Sequence, residues 1–349
     1  MNLMEIFLES LIVVIVVVSL VANLLVLVCF TCSAQVRAQV PGIFIMNLSF
    51  CNILITVLNM PSTLLGVVKR QKPFGDHFCY TLSFMDTFLT TNTMLSMAAL
   101  SIDRWIAVVF PLTYSSKMRL KNAALMVSYA WLHSLAFALT AVLLSWVDYS
   151  PAYASCTVHL RVDDGSRGHF VVFTTVFHAC TFALSLFILC FTYLKVLQVA
   201  RFHCKRIDVI TVQTLMLLVD IHPSVKQRCL LEQKKRRQRA TKKICIFIGS
   251  FVLCFAPYVI TRLTELTPSV KIDRYWGIMS KCLVYSKAAS DPFVYSLLRQ
   301  QYKKALFGVF NRILGRNLYT LSGHRHTVWS DKENECYSQR VNTLKDNCH

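Results

Sequence analysis

Residues 79–109 read CYTLSFMDTFLTTNTMLSMAALSIDRWIAVV. The run is long enough to cross a bilayer, yet it closes on an acid and an arginine, Asp103-Arg104. A hydrocarbon core about 30 Å thick needs roughly 20 apolar residues in a helix. Six other stretches reach that length, at 6–30, 43–68, 123–147, 169–199, 243–266 and 275–298. In lipid every backbone amide must be satisfied within its own segment, which favours helices. The predicted fold is therefore all-α and membrane-embedded, a bundle of seven transmembrane helices. An arginine at the depth of Arg104 is expensive, and ionisable groups inside spans mark functional sites.

Composition and charge agree with that reading. Of 349 residues, 55% are hydrophobic, more than a soluble domain of this length needs to bury. The first run carries Glu5 and Glu9, has no basic leader and is too long for a signal peptide, so it reads as a retained span. The formal net charge is +19. Twelve Lys and Arg, including Lys234-Lys235-Arg236-Arg237, fall between 200 and 243, and Lys117, Arg119 and Lys121 lie in the loop 111–122. The positive-inside rule puts these loops and the C-terminus in the cytoplasm and the short N-terminus outside. Lys69, Arg70 and Lys72 run against it, in a predicted outer loop. Beside membrane spans, basic runs suit membrane lipids and an acidic partner surface; no nucleic acid is expected.

Most of the fourteen cysteines lie within spans or face the cytoplasm, where a thiol is a small apolar group. Cys79 and Cys156 instead face an oxidising compartment, which allows a bridge between them. The chain shows no metal-ligand spacing, no Gly-rich phosphate loop and no nucleophile–base set. No metal, cofactor or catalytic residue is assigned, and an enzyme is not expected. Asn47-Leu48-Ser49 sits inside the second span, out of reach of glycosylation.

Motifs recur one per span. They are Asn23 in the first; Cys79 and Asp103-Arg104-Trp105 in the third; Trp131 in the fourth; Tyr193 in the fifth; Phe251-x-x-Cys254-Phe255-x-Pro257 in the sixth; and Asp291-Pro292-Phe293-Val294-Tyr295 in the seventh. In that order they resemble the rhodopsin-like (class A) G-protein-coupled receptors along nearly the whole chain. Four stretches, Ser96–Trp105, Ala200–Thr211, Cys254–Leu263 and Tyr285–Arg299, resemble an orphan branch of that family more closely still.

The resemblance implies a receptor without an agreed ligand, coupled to the stimulatory G protein, with a Cys79–Cys156 disulfide. It implies that Arg104 leaves Asp103 on activation to receive the G protein, and that Pro111 and Leu112 pack into it. Tyr193 and Tyr295 belong to the same switch. Pro257 and Pro292 remove backbone hydrogen bonds and mark hinges, with Phe251, Phe255 and Asp291 beside them. Many relatives pair the arginine of this motif with an acid on span six; here that position is Arg237, so the lock cannot form and basal activity is expected. Phe255 replaces the usual tryptophan and Ser185 the span-five proline.

Where most of the family has a sodium-binding aspartate, this chain has Asn52, nine residues before Pro61. Lys287 then lies four residues before Asp291, on one helix face. Either Lys287 pairs with Asp291 and, with Asn23 and Asn52, stands in for the sodium ion, or it faces a neighbouring helix or water.

Asp86 occupies the position that binds the ammonium of amine ligands, and Lys281 is placed to face it across the cavity. An internal Asp86–Lys281 pair and an amine site are the two alternatives. His178, Phe255, Tyr258 and Tyr285 complete the candidate pocket, with apolar packing the alternative role of Phe255 and Tyr258. The lysine that holds retinal in opsins would fall at Tyr285, so no retinal is implied. The short outer segments favour a small ligand or none.

The predicted domains are a receptor domain over 1–298, with a basic inner loop at 200–242, an eighth helix over 299–314 and a disordered tail over 315–349. Residues 207–231 read either as an amphipathic helix on the membrane or G protein, or as a locally folded loop. Tyr302, Leu306, Val309, Phe310 and Ile313 recur at helical spacing, as in an interfacial amphipathic helix. Ser322, Thr327 and Ser330 are phosphorylation candidates, with arrestin a further partner implied by the family. The rival class, a transporter or channel, lacks its expected internal repeats and paired broken helices.

Overall fold

The computed structural model describes residues 3–37, 39–160, 167–217, 245–297 and 302–308. Seven long helices run through them: α1 (Leu3–Cys32), α2 (Val40–Lys69), α3 (Asp76–Val109), α4 (Leu120–Leu143), α5 (Arg167–Leu217), α6 (Cys245–Thr264) and α7 (Arg274–Asp291). Helix α3 is the axis of the bundle, buried along most of its length and packed against α2, α4 and α5, while α1 packs on α2 and α7.

The pattern of each helix explains its place. On α1, Leu8, Ile12, Ile15, Ser19, Asn23 and Val26 form one buried stripe, and the valines between them face outward. The buried face of α4 is Ala123, Ala130, Ser134, Ala138 and Ala141. Side chains this small let two backbones approach closely, the usual means of association where lipid removes any hydrophobic drive between helices. Five helices (α1, α2, α4, α5 and α6) are long and apolar enough to cross a membrane, and α3 qualifies together with its bent continuation Pro111–Lys117. Helix α7 fails that test because Lys281, Lys287 and Asp291 dilute it, yet all three are buried inside the protein rather than turned to lipid.

Two expectations need correction, and two further features emerge. The fourth span was placed at 123–147, but α4 stops at Leu143. Ser145 then adopts a left-handed conformation (φ 57°) and Trp146 turns in against Phe170 and Phe173. Trp146 and Val147 owe their apolar character to burial inside the protein, while Leu143 and Leu144 stay exposed at the end of α4. In the outer loop, β1 (Val147–Ser150) and β2 (Ser155–Val158) form an antiparallel hairpin, the only strands among the described residues. Helix α5 runs on to Leu217, so the apolar stretch after 207 begins as a continuation of α5 rather than as a separate helix. Finally, the outer basic cluster is largely neutralised, because Arg70 pairs with Glu5 at 2.5 Å and Lys72 with Asp76 and Asp148.

Wide turns interrupt α2 at Ile55–Asn59 and α5 at Ala179–Ala183, and a third follows α7 at Pro292–Leu297. Such turns bend helices and often mark functional positions. The one in α5 ends just before the buried Ser185, so this helix has a local irregularity without the family's proline. Helix α6 passes through Pro257 unbroken. Residues 302–308 are helical; the rest of the predicted eighth helix, the loop beyond 217 with Arg237, and the tail with its phosphorylation candidates lie outside the described residues.

Candidate functional site

Three polar clusters lie along the bundle, beginning at the Arg104 end of α3. Asp103 is fully buried, accepts a hydrogen bond from Tyr114 Oη at 2.7 Å and has Arg104 Nε at 3.5 Å from its Oδ2. Arg104 itself keeps about a third of its side chain exposed; among the described residues its only ion pair is with Asp103. Pro111 begins a short turn beyond α3, and Leu112 stands 96% exposed. Nearby, Phe247 of α6 packs against Tyr193 (4.6 Å between ring centres) and Tyr295 (4.4 Å). The tyrosines assigned to the switch therefore meet through one phenylalanine. Phe182, Phe251 and Phe255 continue this aromatic ladder upward at 5.6 and 5.1 Å.

The second cluster sits midway, between α1, α2 and α7. Asn23 Nδ2 donates to the carbonyls of Ser19 (2.8 Å) and Ala288 (2.9 Å), tying α1 to α7. Asn52 Nδ2 donates to Asp291 Oδ2 at 3.2 Å and to Asn23 Oδ1 at 3.3 Å. Lys287 Nζ lies 2.5 Å from Asp291 Oδ1 and 3.3 Å from Ser250 Oγ. Of the two placements for Lys287, the structure shows the one paired with Asp291, and Asn23, Asn52, Lys287 and Asp291 form one connected network.

The third cluster lies one to two turns further along α7. Lys281 donates to Asp86 Oδ2, both groups being buried, and its ammonium faces the rings of Tyr258 (4.9 Å) and Tyr285 (5.6 Å). The internal pair is thus the arrangement present for Asp86. Tyr285 Oη shares a hydrogen bond of 2.8 Å with Thr63 Oγ1. Asp86, His178 and Tyr258 line a cavity of about 40 Å³, room for roughly three water molecules. Phe255 is buried below, within the aromatic ladder. Among the described residues Asp86 Oδ1, Thr90 Oγ1, Thr91 Oγ1, Thr174 Oγ1 and His178 Nδ1 form no hydrogen bond. Polar atoms buried this way characterise a space that takes up water or ligand atoms.

Above the cavity sits the hairpin, anchored to α3 by the Cys79–Cys156 disulfide. Arg262 of α6, 4% exposed, donates to the Val158 carbonyl and pairs with Glu265 at 2.6 Å. Tyr153 Oη also donates to Glu265, at 3.0 Å. Burial pushes the Glu265 carboxyl up, but the His159 hydrogen bond and the Arg262 charge outweigh it and hold the group at about 2.

Sequence reasoning missed Arg262, although an arginine in an apolar span with an acid nearby, here Glu265 three residues on, is the same kind of signal as Asp103-Arg104. It also missed Tyr114 and the link between α2, α3 and α4. There Asn47 Nδ2 donates to Asn92 Oδ1 and Ser96 Oγ, both at 2.8 Å, while its Oδ1 accepts from Trp131 Nε1 at 2.8 Å. Hydrogen bonds between membrane helices average about 0.6 kcal/mol each. Asn47→Ala, which removes three, should therefore lower stability by about 2 kcal/mol, measured as thermal unfolding of the detergent-solubilised protein. An unchanged midpoint would show that the three bonds contribute nothing.

Comparison with known proteins adds the following. Residues 22–295 match the family described as "7 transmembrane receptor (rhodopsin family)". The chain is 62% identical to the Homo sapiens protein named "G-protein coupled receptor 26" over 306 residues, 88% of this chain and 90% of that one. Against "G-protein coupled receptor 78" of Homo sapiens the identity is 48% over 320 residues, 92% and 88% of the two chains. Against "5-hydroxytryptamine receptor 4" of Cavia porcellus it is 22% over 298 residues, 83% and 76%. The four stretches noted above resemble receptors 26 and 78 as a pair, and the whole-length identity is higher to receptor 26 than to receptor 78, against a slight leaning of the sequence reading to the latter.

Proposed function

The chain belongs to the rhodopsin family of seven-transmembrane receptors, and from that premise we propose that it activates the stimulatory class of heterotrimeric G protein, raising cyclic AMP without added ligand. It is a receptor and not an enzyme. The N-terminus lies outside the plasma membrane and the Arg104 end faces the cytoplasm, as the basic loops require.

The observation that carries this reading is the state of Arg104. Its contact with Asp103 is the resting arrangement, but a loose one: 3.5 Å, with Arg104 Nε making no hydrogen bond and a third of the side chain exposed, so little holds the guanidinium back from the partner. At that end of α3, the exposed Leu112 offers an apolar contact for the partner. In the sequence Arg237 stands where many relatives have an acid, and among the described residues the only ion pair of Arg104 is with Asp103. The Asp86–Lys281 pair fits activity without ligand, since the carboxylate that would recruit an amine already has an internal cation.

The test is cyclic AMP in cells expressing graded amounts of the receptor, beside Arg104→Ala and Arg237→Glu matched for surface level. The wild type should raise cyclic AMP in proportion to expression. Arg104→Ala should return it to the level of cells without receptor, and Arg237→Glu should lower it. A flat wild-type response would refute basal stimulatory coupling, and full signalling by Arg237→Glu would refute the missing-lock explanation.

A further inference from the structure

We infer that the resident occupant of the receptor's cavity is the chain's own hairpin, residues 151–158, held as a tethered ligand on two glycines and acting on α6. The inference deepens the basal activity proposed above and rests on it. Its starting point is the turn between the strands. Ala154 lies in the left-handed region (φ 49°) and is fully buried. A residue other than glycine keeps that conformation where its surroundings over-determine it.

The surroundings are specific. A Cβ added at Gly66 of α2 would overlap the carbonyl oxygen of Ala154, and one added at Gly277 of α7 would overlap that of Ala152. Glycine inside a helix weakens it, and neither position needs glycine for its own backbone. What both gain is space for the turn to lie directly on the two helices. Tyr153, between those two contacts, is fully buried, with its ring 5.5 Å from Tyr258 and 5.3 Å from the Arg262 guanidinium.

On the second strand, Thr157 Oγ1 lies 3.3 Å from Tyr258 Oη, and the Val158 carbonyl accepts from Arg262. Tyr258 and Arg262 both follow Pro257, on the arm of α6 beyond its missing backbone bond. The hairpin therefore grips the part of α6 that a proline hinge would move, while the Cys79–Cys156 disulfide ties it to α3. The space left beneath it, about 40 Å³, is well below the roughly 300 Å³ at which pockets accept drug-sized ligands. A ligand of that size enters only where the hairpin leaves.

The test uses the full-length receptor in cells, with two readouts at matched surface level: basal cyclic AMP, and labelling of a Thr91→Cys reporter by a membrane-impermeant maleimide added outside. Gly66→Val and Gly277→Val place a side chain where the turn sits; both should raise labelling severalfold and lower basal cyclic AMP. Tyr153→Ala should lower cyclic AMP while the backbone seat persists, which keeps the test decisive if the glycine variants fail to reach the surface. Gly75→Ala, where a Cβ meets no atom within 4 Å, should change neither.

Increased labelling with undiminished cyclic AMP would overturn the proposal, showing a cover and not a ligand. Unchanged labelling in both glycine variants would overturn the seat itself. A wild type with no basal signal would overturn this proposal together with the basal-activity reading. A signalling wild type whose unseated variants signal equally would overturn the tethered ligand alone.

Discussion

Lys281→Met is expected to destabilise the receptor by about 3–5 kcal/mol, the usual consequence of removing one partner from a buried ion pair. Lys281 and Asp86 are 1% and 5% exposed and hydrogen-bonded to each other, so the single substitution strands a carboxylate in the bundle. The desolvation of Asp86 is already complete in the folded protein; what the variant loses is the charge that compensates it. Asp86→Asn added to Lys281→Met should recover most of the stability, because replacing both charged partners by neutral groups is often close to neutral. The decisive quantity is the coupling energy of the cycle in thermal unfolding of the solubilised protein. If the double variant is as unstable as the sum of the singles, the pair is not coupled and the internal-cation account of Asp86 fails. Neutralisation of this carboxylate also separates the chain from an amine site of the ordinary kind, in which the ligand brings the cation.

The second large effect concerns the network around Asp291. Wild-type receptor should show no shift in thermal midpoint when sodium chloride at about 0.15 M, near physiological ionic strength, is exchanged for choline chloride. Lys287 already supplies a cation 2.5 Å from Asp291, and the Asn52 amide fills the carboxylate's other oxygen as a donor. The Lys287→Met, Asn52→Asp double variant removes that cation and sets a second carboxylate beside the first. It should become sodium-dependent, with stabilisation of roughly 1.6 kcal/mol if the dissociation constant is about a fifteenth of the sodium concentration. Each single substitution removes only one element of the exchange, so the double variant is the one that distinguishes a sodium site from a damaged network. A sodium-dependent wild type would show that the tethered ammonium does not replace the ion.

The interior polar residues show how far sequence reading reaches. Lys287 and Asp291 are four apart on one helix, and a short-range rule brings them together before any coordinates exist. Asp86 and Lys281 are 195 positions apart. They could be matched in sequence only because the resemblance supplied a bundle in which α3 and α7 face one cavity, and even then an external amine remained the alternative to the internal pair. Asn47 illustrates the opposite case. Its local context marked it only as a buried asparagine, and nothing near it in sequence names Asn92, Ser96 or Trp131 as partners.

The sequence by itself determined the number and approximate place of the seven spans, the positions of the prolines, and the arginine at the end of α3. These follow from segment length, helical period and the cost of charge in lipid, which are properties of each stretch alone. Only the tertiary structure decided where α4 ends, that α5 continues to Leu217, and that residues 147–158 form a hairpin packed into the bundle. Residues 143–147 are apolar enough for lipid and equally so for a protein interior, so composition could not choose between them. The hairpin's seat depends on Gly66 and Gly277, 211 residues apart along the chain. What those glycines provide is an absence of side chain at a shared contact, which acquires meaning only when distant helices are brought side by side.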